Sequence, residues 1–205
     1  WSISGWSIAH AQDRLRFLRN NLWMPESYVK RNGVDEVFDA CIQSGKKSLL
    51  ITGEEGCGKT SLIATWVDHL IESIRRRAQN DPINPRQSLH NYEGDIIVFL
   101  HGKGDYQGPT DLSAEALLCE LIARRTYLEQ RYDHLPELLD RLAREVLTPD
   151  PIKPFYARAS HLRHMRSKVV RKVWIILDGL DEADRGNELI KVVDENLAYF
   201  TQSGH

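Results

Sequence analysis

The sequence predicts an α/β fold in which a mostly parallel sheet lies between two layers of helices. Short apolar runs of the buried-strand type occur at residues 48–52, 96–100 and 173–177. Such runs are typical of strands that are covered on both faces. Segments with apolar residues at helical spacing separate the runs. Because strands that alternate with helices form parallel sheets, we expect a three-layer arrangement.

Residues 1–24 are predicted to form an N-terminal helix and linker. Apolar residues recur there at helical spacing: Ile8, Ala11, Leu15, Leu18 and Leu22. This spacing indicates an amphipathic helix. Its wetter side is predicted to carry Arg14, Arg16 and Arg19. We favour a helix that packs on its own domain over one that docks a partner, because fewer than three heptads are visible.

Residues 25–205 are predicted to form the main domain, and helical periodicity continues within it. It predicts helices over residues 34–42, 60–77, 114–122, 136–146 and 187–199. Thr110 and Asp111 are residue types that cap a helix N-terminus. Asp178 follows Lys59 by 119 positions. Two strand–helix crossovers require fewer residues than this separation, so we expect an additional helical insertion at about residues 127–170.

Composition argues against several classes of protein. The 27 basic and 29 acidic residues nearly cancel, which argues against nucleic acid as the main partner. The sequence has no run of 18 apolar residues, so we expect no membrane span. Three cysteines without C-x-x-C spacing argue against a disulfide framework or zinc site and favour a reducing, cytoplasmic setting. Because the chain begins with Trp1, we expect a piece of a longer protein.

The most specific motif follows the first apolar run. It fits the pattern G-x-x-x-x-G-K-[ST] and reads Gly53-Glu54-Glu55-Gly56-Cys57-Gly58-Lys59-Thr60. In this pattern the loop amides cradle phosphates, the lysine reaches the β- and γ-phosphates, and the hydroxyl binds Mg²⁺. A helix that starts near Thr60 adds its positive end. We therefore expect the whole loop, with Ser61, to bind a nucleoside triphosphate.

A second group of chemically active residues follows the last apolar run and reads Asp178-Gly179-Leu180-Asp181-Glu182. The carboxyl end of a parallel strand is where such sheets bind ligands. We expect Asp178 to hold Mg²⁺ together with Thr60. Glu182 is predicted to be the base that acts on the attacking water, with Asp181 as a helper and Lys59 as a catalytic charge. No Asn-Lys-x-Asp motif is present, which favours ATP over GTP.

Three segments of the sequence resemble parts of NACHT domains, within the STAND class of signalling P-loop NTPases. Asp178-Gly179-Leu180-Asp181-Glu182 is similar to their second nucleotide motif. Tyr28-Val29-Lys30-Arg31 is similar to the segment that lines the adenine, although Lys30 stands where that class has glycine. The resemblance implies that Val29 and Arg31 contact the adenine side. Residues 108–112 are similar to the corresponding part of nephrocystin-type and telomerase-associated proteins.

The resemblance implies a three-layer P-loop NTPase domain, here truncated on its C-terminal side. It also implies an ATP switch that binds Mg²⁺-ATP, hydrolyses it slowly as an ATPase, and controls assembly of a larger protein through other domains or self-association. A scaffold that binds nucleotide without hydrolysis is the alternative, and a P-loop kinase is less favoured. The nephrocystin-type resemblance adds the cilium or cytoskeleton as a location within a cytoplasmic setting.

Residues 155–172 carry a basic cluster and a pair of histidines. This segment is rich in Arg, His and Lys. Because aromatic residues are sparse there, a solvated helix face is favoured over phosphate contacts with nucleic acid. His161 and His164 have metal-ligand spacing, but nearby sequence offers no third ligand.

Overall fold

A computed structural model of the chain describes residues 3–44, 48–80, 94–126, 132–147 and 172–202. Within these ranges the chain forms α1 (Ile3–Asn21), α2 (Val34–Gln43), α3 (Lys59–Gln79), β1 (Ile96–His101), α4 (Gly102–Asp105), α5 (Ala114–Thr126), α6 (Leu135–Leu147), β2 (Val173–Asp178) and α7 (Gly186–Gln202). Two short 3₁₀ turns lie at Pro25–Ser27 and Leu180–Glu182. The basic segment up to residue 171, with its two histidines, and much of the predicted insertion lie outside the described residues.

The two strands pair in parallel, and both were predicted from their apolar runs. Their register runs from Ile96 opposite Val173 to His101 opposite Asp178. Because the paired strands end together, the side chains that follow each apolar run lie next to one another. The register therefore places His101 and Asp178 side by side at the ends of the strands.

The predicted strand at residues 48–52 is wrong for this structure. No strand forms there, and Leu49 and Leu50 are 42% and 81% exposed. An apolar run becomes a strand only where a neighbouring strand supplies ladder hydrogen bonds, and within the described ranges no such bond reaches this segment. The described sheet therefore has two strands. The P-loop NTPase fold stays a prediction.

Helices cover both faces of the sheet. Successive side chains of a strand point to opposite faces. Ile97 and Phe99 accordingly pack with α1 and α3 on one side. On the other side, Val98 and Leu100 pack with α5, α6 and α7. All six residues of β1 are buried, which explains its continuous apolar run.

Helix α1 packs on its own domain and covers the edge of β1 that faces away from β2. The Gly94 amide donates to Ser4 Oγ and the Ile97 amide donates to Ser7 Oγ, each at 3.1 Å. Ser4, Gly5 and Ser7 are buried, and their small size lets the helix approach the strand. Uncovered strand edges invite pairing with other chains. The helix therefore protects this edge as part of the domain.

Other differences from prediction concern helix ends. Helix α5 begins at Ala114, so Thr110 and Asp111 are not its caps. Ser113 takes that role, because its Oγ accepts the Ala116 amide at 3.1 Å. The four-residue α4 was not predicted, since it is too short to show periodicity. Among the helices of the described ranges, none has both the length and the apolarity to cross a membrane.

Candidate functional site

The loop at residues 53–58 leads directly into the N-terminus of α3. Gly58 has φ of +88°, and a Cβ there would lie 3.1 Å from Arg31 Nη1, so glycine suits this position. The first helical hydrogen bond runs from the Leu62 amide to the Gly58 carbonyl. No side chain caps the helix. The amides of the first turn therefore lack helical acceptors, and the positive end of α3 lies at the loop.

Lys59 folds back over this loop. Its Nζ donates to the carbonyls of Gly53 at 2.7 Å and Glu54 at 3.0 Å. The Cys57 amide donates to the Glu54 carbonyl at 3.3 Å. These bonds hold the lysine ammonium inside the curve of the loop. Glu54, Glu55 and Cys57 are exposed.

Arg31 connects the loop to α2. Its Nη1 donates to the Cys57 carbonyl at 2.7 Å, and its backbone amide donates to Asp35 Oδ2 at 2.9 Å. Tyr28 donates its hydroxyl to Asp35 Oδ1 at 2.6 Å. Burial raises the pKa of the Asp35 carboxyl, but these hydrogen bonds and the charge of Arg31 together lower its pKa below the ordinary value. The carboxylate thus stays ionised and holds Arg31 at the loop. Val29 is 78% exposed.

The acidic group lies at the carboxyl ends of the two strands. Asp178 is buried, and its Oδ2 lies 2.8 Å from His101 Nδ1. Gly179 has φ of +70°, and a Cβ there would lie 3.1 Å from backbone atoms of Gly102. The two strand ends therefore approach closely. Glu182 lies in the following turn, where its side chain comes near both glycines, and it is exposed like Asp181.

A buried ionic cluster supports this end of the sheet. The His101 amide donates to Asp105 Oδ2 at 2.8 Å. Asp105 Oδ1 accepts from Arg125 Nη2 at 2.7 Å and also pairs with Arg14 of α1. Asp105 is almost fully buried, and the two arginines are about three-quarters buried. Two guanidinium groups thus compensate one buried carboxylate.

Tyr106 connects the ends of β1 and β2 by hydrogen bonds. Its hydroxyl donates to the Asp178 carbonyl at 2.9 Å and to the Leu100 carbonyl at 3.4 Å. Burial, followed by the charges of Asp178 and Asp105, raises the pKa of this phenol far above its ordinary value. The hydroxyl therefore keeps its proton and remains a donor.

A family model described as the N-terminal region of nephrocystin 3 matches residues 34–203. The chain belongs to the nephrocystin 3 N-terminal family. No curated protein and no solved structure matches the chain. The nephrocystin part of the resemblance is thereby confirmed, and the NACHT and STAND assignment stays a prediction.

The nephrocystin 3 match includes both predicted parts of the site, namely the loop with Lys59 and the group that begins at Asp178. Helix α1 lies outside the match. In the part of the chain that the structure describes, no hydrogen bond or ion pair connects residues 53–60 with Asp178, Asp181 or Glu182. No described group of three or more His, Cys, Asp or Glu residues could hold a metal ion. Joint binding of Mg²⁺ by Thr60 and Asp178 stays a prediction.

The sequence motifs did not reveal His101, Asp105, Tyr106 or Arg125. His101 did carry a usable signal, since a polar residue follows an apolar run where parallel sheets bind ligands. The others have no local signature because their partners are distant in sequence. Arg14 was placed on the wetter side of α1, and this was wrong because its charge faces buried Asp105. Arg16 and Arg19 are exposed as predicted.

The three cysteines differ in their burial. Cys41, Cys57 and Cys119 are all free thiols. Burial raises the pKa of the Cys119 thiol to about 12, so this group stays protonated and a poor nucleophile at neutral pH. Cys57 is exposed in the loop.

Proposed function

We propose that this chain is a nucleotide-binding switch domain that binds Mg²⁺-ATP and hydrolyses it slowly. The observation that carries the proposal is the geometry at the N-terminus of α3. There, a glycine loop, the uncapped first turn of a 21-residue helix and the Lys59 ammonium converge. Such a convergence of amide donors and positive charge suits a polyphosphate.

Binding would exchange one set of partners of Lys59 for another. The ammonium donates to two loop carbonyls, and phosphate oxygens are stronger acceptors because they are charged. The first-turn amides would donate to the same phosphates. Arg31 stabilises the loop by donating a hydrogen bond to the Cys57 carbonyl. This contact supports a role for Arg31 close to the nucleotide, and we keep Val29 and Arg31 as proposed adenine-side residues.

The donors Thr60 and Asp178 fit Mg²⁺ chemically, because this ion prefers hydroxyl, carboxylate and phosphate oxygens. When bound, Mg²⁺ would neutralise charge that develops on the phosphates. Glu182 and Asp181 are exposed in the turn after Asp178, where a carboxylate could accept a proton from water. We assign Glu182 as the base and Asp181 as its helper.

We further propose the three-layer P-loop NTPase fold for the domain. The two described strands are parallel, and helices cover both faces of their sheet, which supports this proposal. Ile51 packs against the same apolar cluster as Trp174 and Ile176 of β2.

A scaffold that binds ATP without hydrolysis is the second candidate. It is favoured because, among the described residues, no hydrogen bond or ion pair joins the loop to the acidic group. The two functions differ in turnover and share nucleotide binding. Both would serve the assembly of a larger protein through other domains or self-association.

Replacement Glu182→Gln separates these two functions. We expect ATP affinity to be retained and turnover to fall about 100-fold or more, because general-base catalysis contributes roughly 10²- to 10⁴-fold. Fluorescent-ATP titration measures binding, and phosphate release measures turnover. Glu195→Gln, an exposed change on α7, is the matched control. Wild-type binding without measurable phosphate release would favour the scaffold, and unchanged turnover in Glu182→Gln would remove Glu182 as the base.

Replacement Arg31→Ala tests the support of the loop. The change removes the hydrogen bond to the Cys57 carbonyl, so the loop loses part of its order before binding. We expect ATP affinity to fall roughly fivefold, the equivalent of one hydrogen bond of about 1 kcal/mol. Lys30→Ala removes a neighbouring exposed charge and should change affinity little. Equal losses in both variants would mean that general charge, rather than the loop contact, is responsible.

A further inference from the structure

His101 and Asp178 form a buried pair that the nucleotide motifs do not include. Their side chains are 6% and 7% exposed, and they lie opposite one another in the strand register. Because an ionised carboxylate can only accept hydrogen bonds, His101 Nδ1 donates to Asp178 Oδ2. This bond restrains rotation of the carboxylate.

His101 is itself held by a separate set of contacts. Its backbone amide, on the edge of β1 away from β2, donates to Asp105 Oδ2. Asp105 Oδ1 is paired with Arg125 of α5 and Arg14 of α1. A continuous series of polar contacts therefore runs from α1 through Asp105 and His101 to Asp178. Helix α1 lies outside the family match, so this connection reaches beyond the matched domain.

We propose that His101 is a positioning residue that orients the carboxylate of Asp178 for Mg²⁺, and that Arg14 of α1 supports this role through Asp105. The inference rests on the proposed function, because it takes Asp178 as a Mg²⁺-binding group. Carboxylates that hold metals are commonly oriented by hydrogen bonds from neighbouring side chains. Without its donor, the Asp178 carboxylate would lose a defined orientation and a partner for Oδ2.

The test compares His101→Leu with His101→Asn. Leucine has no donor, whereas the asparagine amide nitrogen takes nearly the position of Nδ1 and can donate to Asp178. The probe is a fluorescent ATP analogue, titrated with Mg²⁺ at fixed protein concentration and also measured in EDTA. We expect His101→Leu to weaken the apparent Mg²⁺ affinity by about 10- to 100-fold, the range found for partners that orient metal ligands. Metal-free nucleotide affinity should stay unchanged, and His101→Asn should restore most of the loss.

These measurements separate the two proposals. If the wild-type chain binds no ATP analogue, the proposed function fails and this inference fails with it. If wild type shows Mg²⁺-dependent binding and His101→Leu shows the same Mg²⁺ affinity, only the positioning role is overturned. Equal losses in leucine and asparagine variants, or equal losses with and without Mg²⁺, would also overturn it, because they indicate a structural effect. His69→Leu, at an exposed position on α3, is the matched control.

The contribution of α1 is tested by Arg14→Gln. Arg125 still pairs with Asp105 in this variant, so the domain is expected to remain folded. Changes along a coupled network typically alter affinity by roughly two- to thirtyfold, and we expect a Mg²⁺ affinity loss in that range. Arg16→Gln, on the same helix but in an exposed pair, should have no effect. Identical Mg²⁺ affinities in the two variants would overturn the coupling to α1.

Discussion

Replacement Lys59→Ala is expected to weaken ATP binding by roughly 30-fold to several thousand-fold. Removing one partner of a desolvated, hydrogen-bonded charge pair costs about 2–5 kcal/mol, which corresponds to that range. The ammonium lies inside the loop and already bonds the carbonyls of Gly53 and Glu54. Alanine would remove both the charge directed at the phosphates and the bonds that curve the loop. Isothermal titration with ATP and Mg²⁺ measures the loss.

A matched lysine on α7 provides the control for this prediction. Lys191 is exposed and pairs weakly with Glu195, so Lys191→Ala removes the same charge far from the loop. We expect it to bind ATP as wild type does. Thermal unfolding of Lys59→Ala should remain close to that of wild type, because the loop is exposed. Retention of wild-type ATP affinity by Lys59→Ala would refute the assignment of the loop as the nucleotide site.

Replacement Asp105→Ala is expected to destabilise the folded chain by about 3 kcal/mol, the lower end of the cost of breaking a buried ion pair. The lower end applies because Arg14 and Arg125 keep some access to solvent. Alanine would leave both guanidinium groups without their shared carboxylate. It would also leave the His101 amide without an acceptor. Urea denaturation at neutral pH measures the change in the free energy of unfolding.

The control for Asp105 is an exposed carboxylate in the same part of the molecule. Asp13 pairs with Arg16 on the surface of α1. Exposed ion pairs contribute about 0–1 kcal/mol, so Asp13→Ala should change the free energy of unfolding by less than about 1 kcal/mol. A similarly small change in Asp105→Ala would mean that the buried cluster does not stabilise the fold. It would also weaken the inferred support of His101.

Local patterns predicted the elements that depend on local burial. Both described strands followed from continuous apolar runs, since β1 is buried along its whole length. Helices α2, α3, α6 and α7 began within a few residues of their predicted starts. The predicted strand at residues 48–52 failed for a different reason. An apolar run records a tendency toward burial, whereas a strand also requires a partner at the correct distance and register.

The residues of the candidate site also form two groups. Those in contiguous motifs could be predicted, and those held by contacts distant in sequence could not. The loop is a contiguous motif, so its residues and the start of α3 could be read directly from the sequence. Arg31 was assigned to the adenine side by resemblance alone, and that role stays a prediction, whereas its hydrogen bond to the Cys57 carbonyl was not predicted. Asp105 could not be found, because its partners Arg14 and Arg125 come from helices far apart in the chain. In a helical pattern, a charged residue whose ion-pair partner is distant in the sequence cannot be distinguished from a charged residue on the surface.

The sequence by itself determined a glycine-rich loop of the phosphate-binding pattern before α3, an acidic group after β2, and two apolar strands with most of the helices around them. These features depend on neighbouring residues, whose spacing and chemistry are visible in one dimension. Only the tertiary structure decided that α1 covers the edge of β1, that His101 faces Asp178, and that Asp105 joins three helices to this strand end. Such contacts depend on strand register and on desolvation of charges that meet across the fold, and neither quantity is encoded in local periodicity.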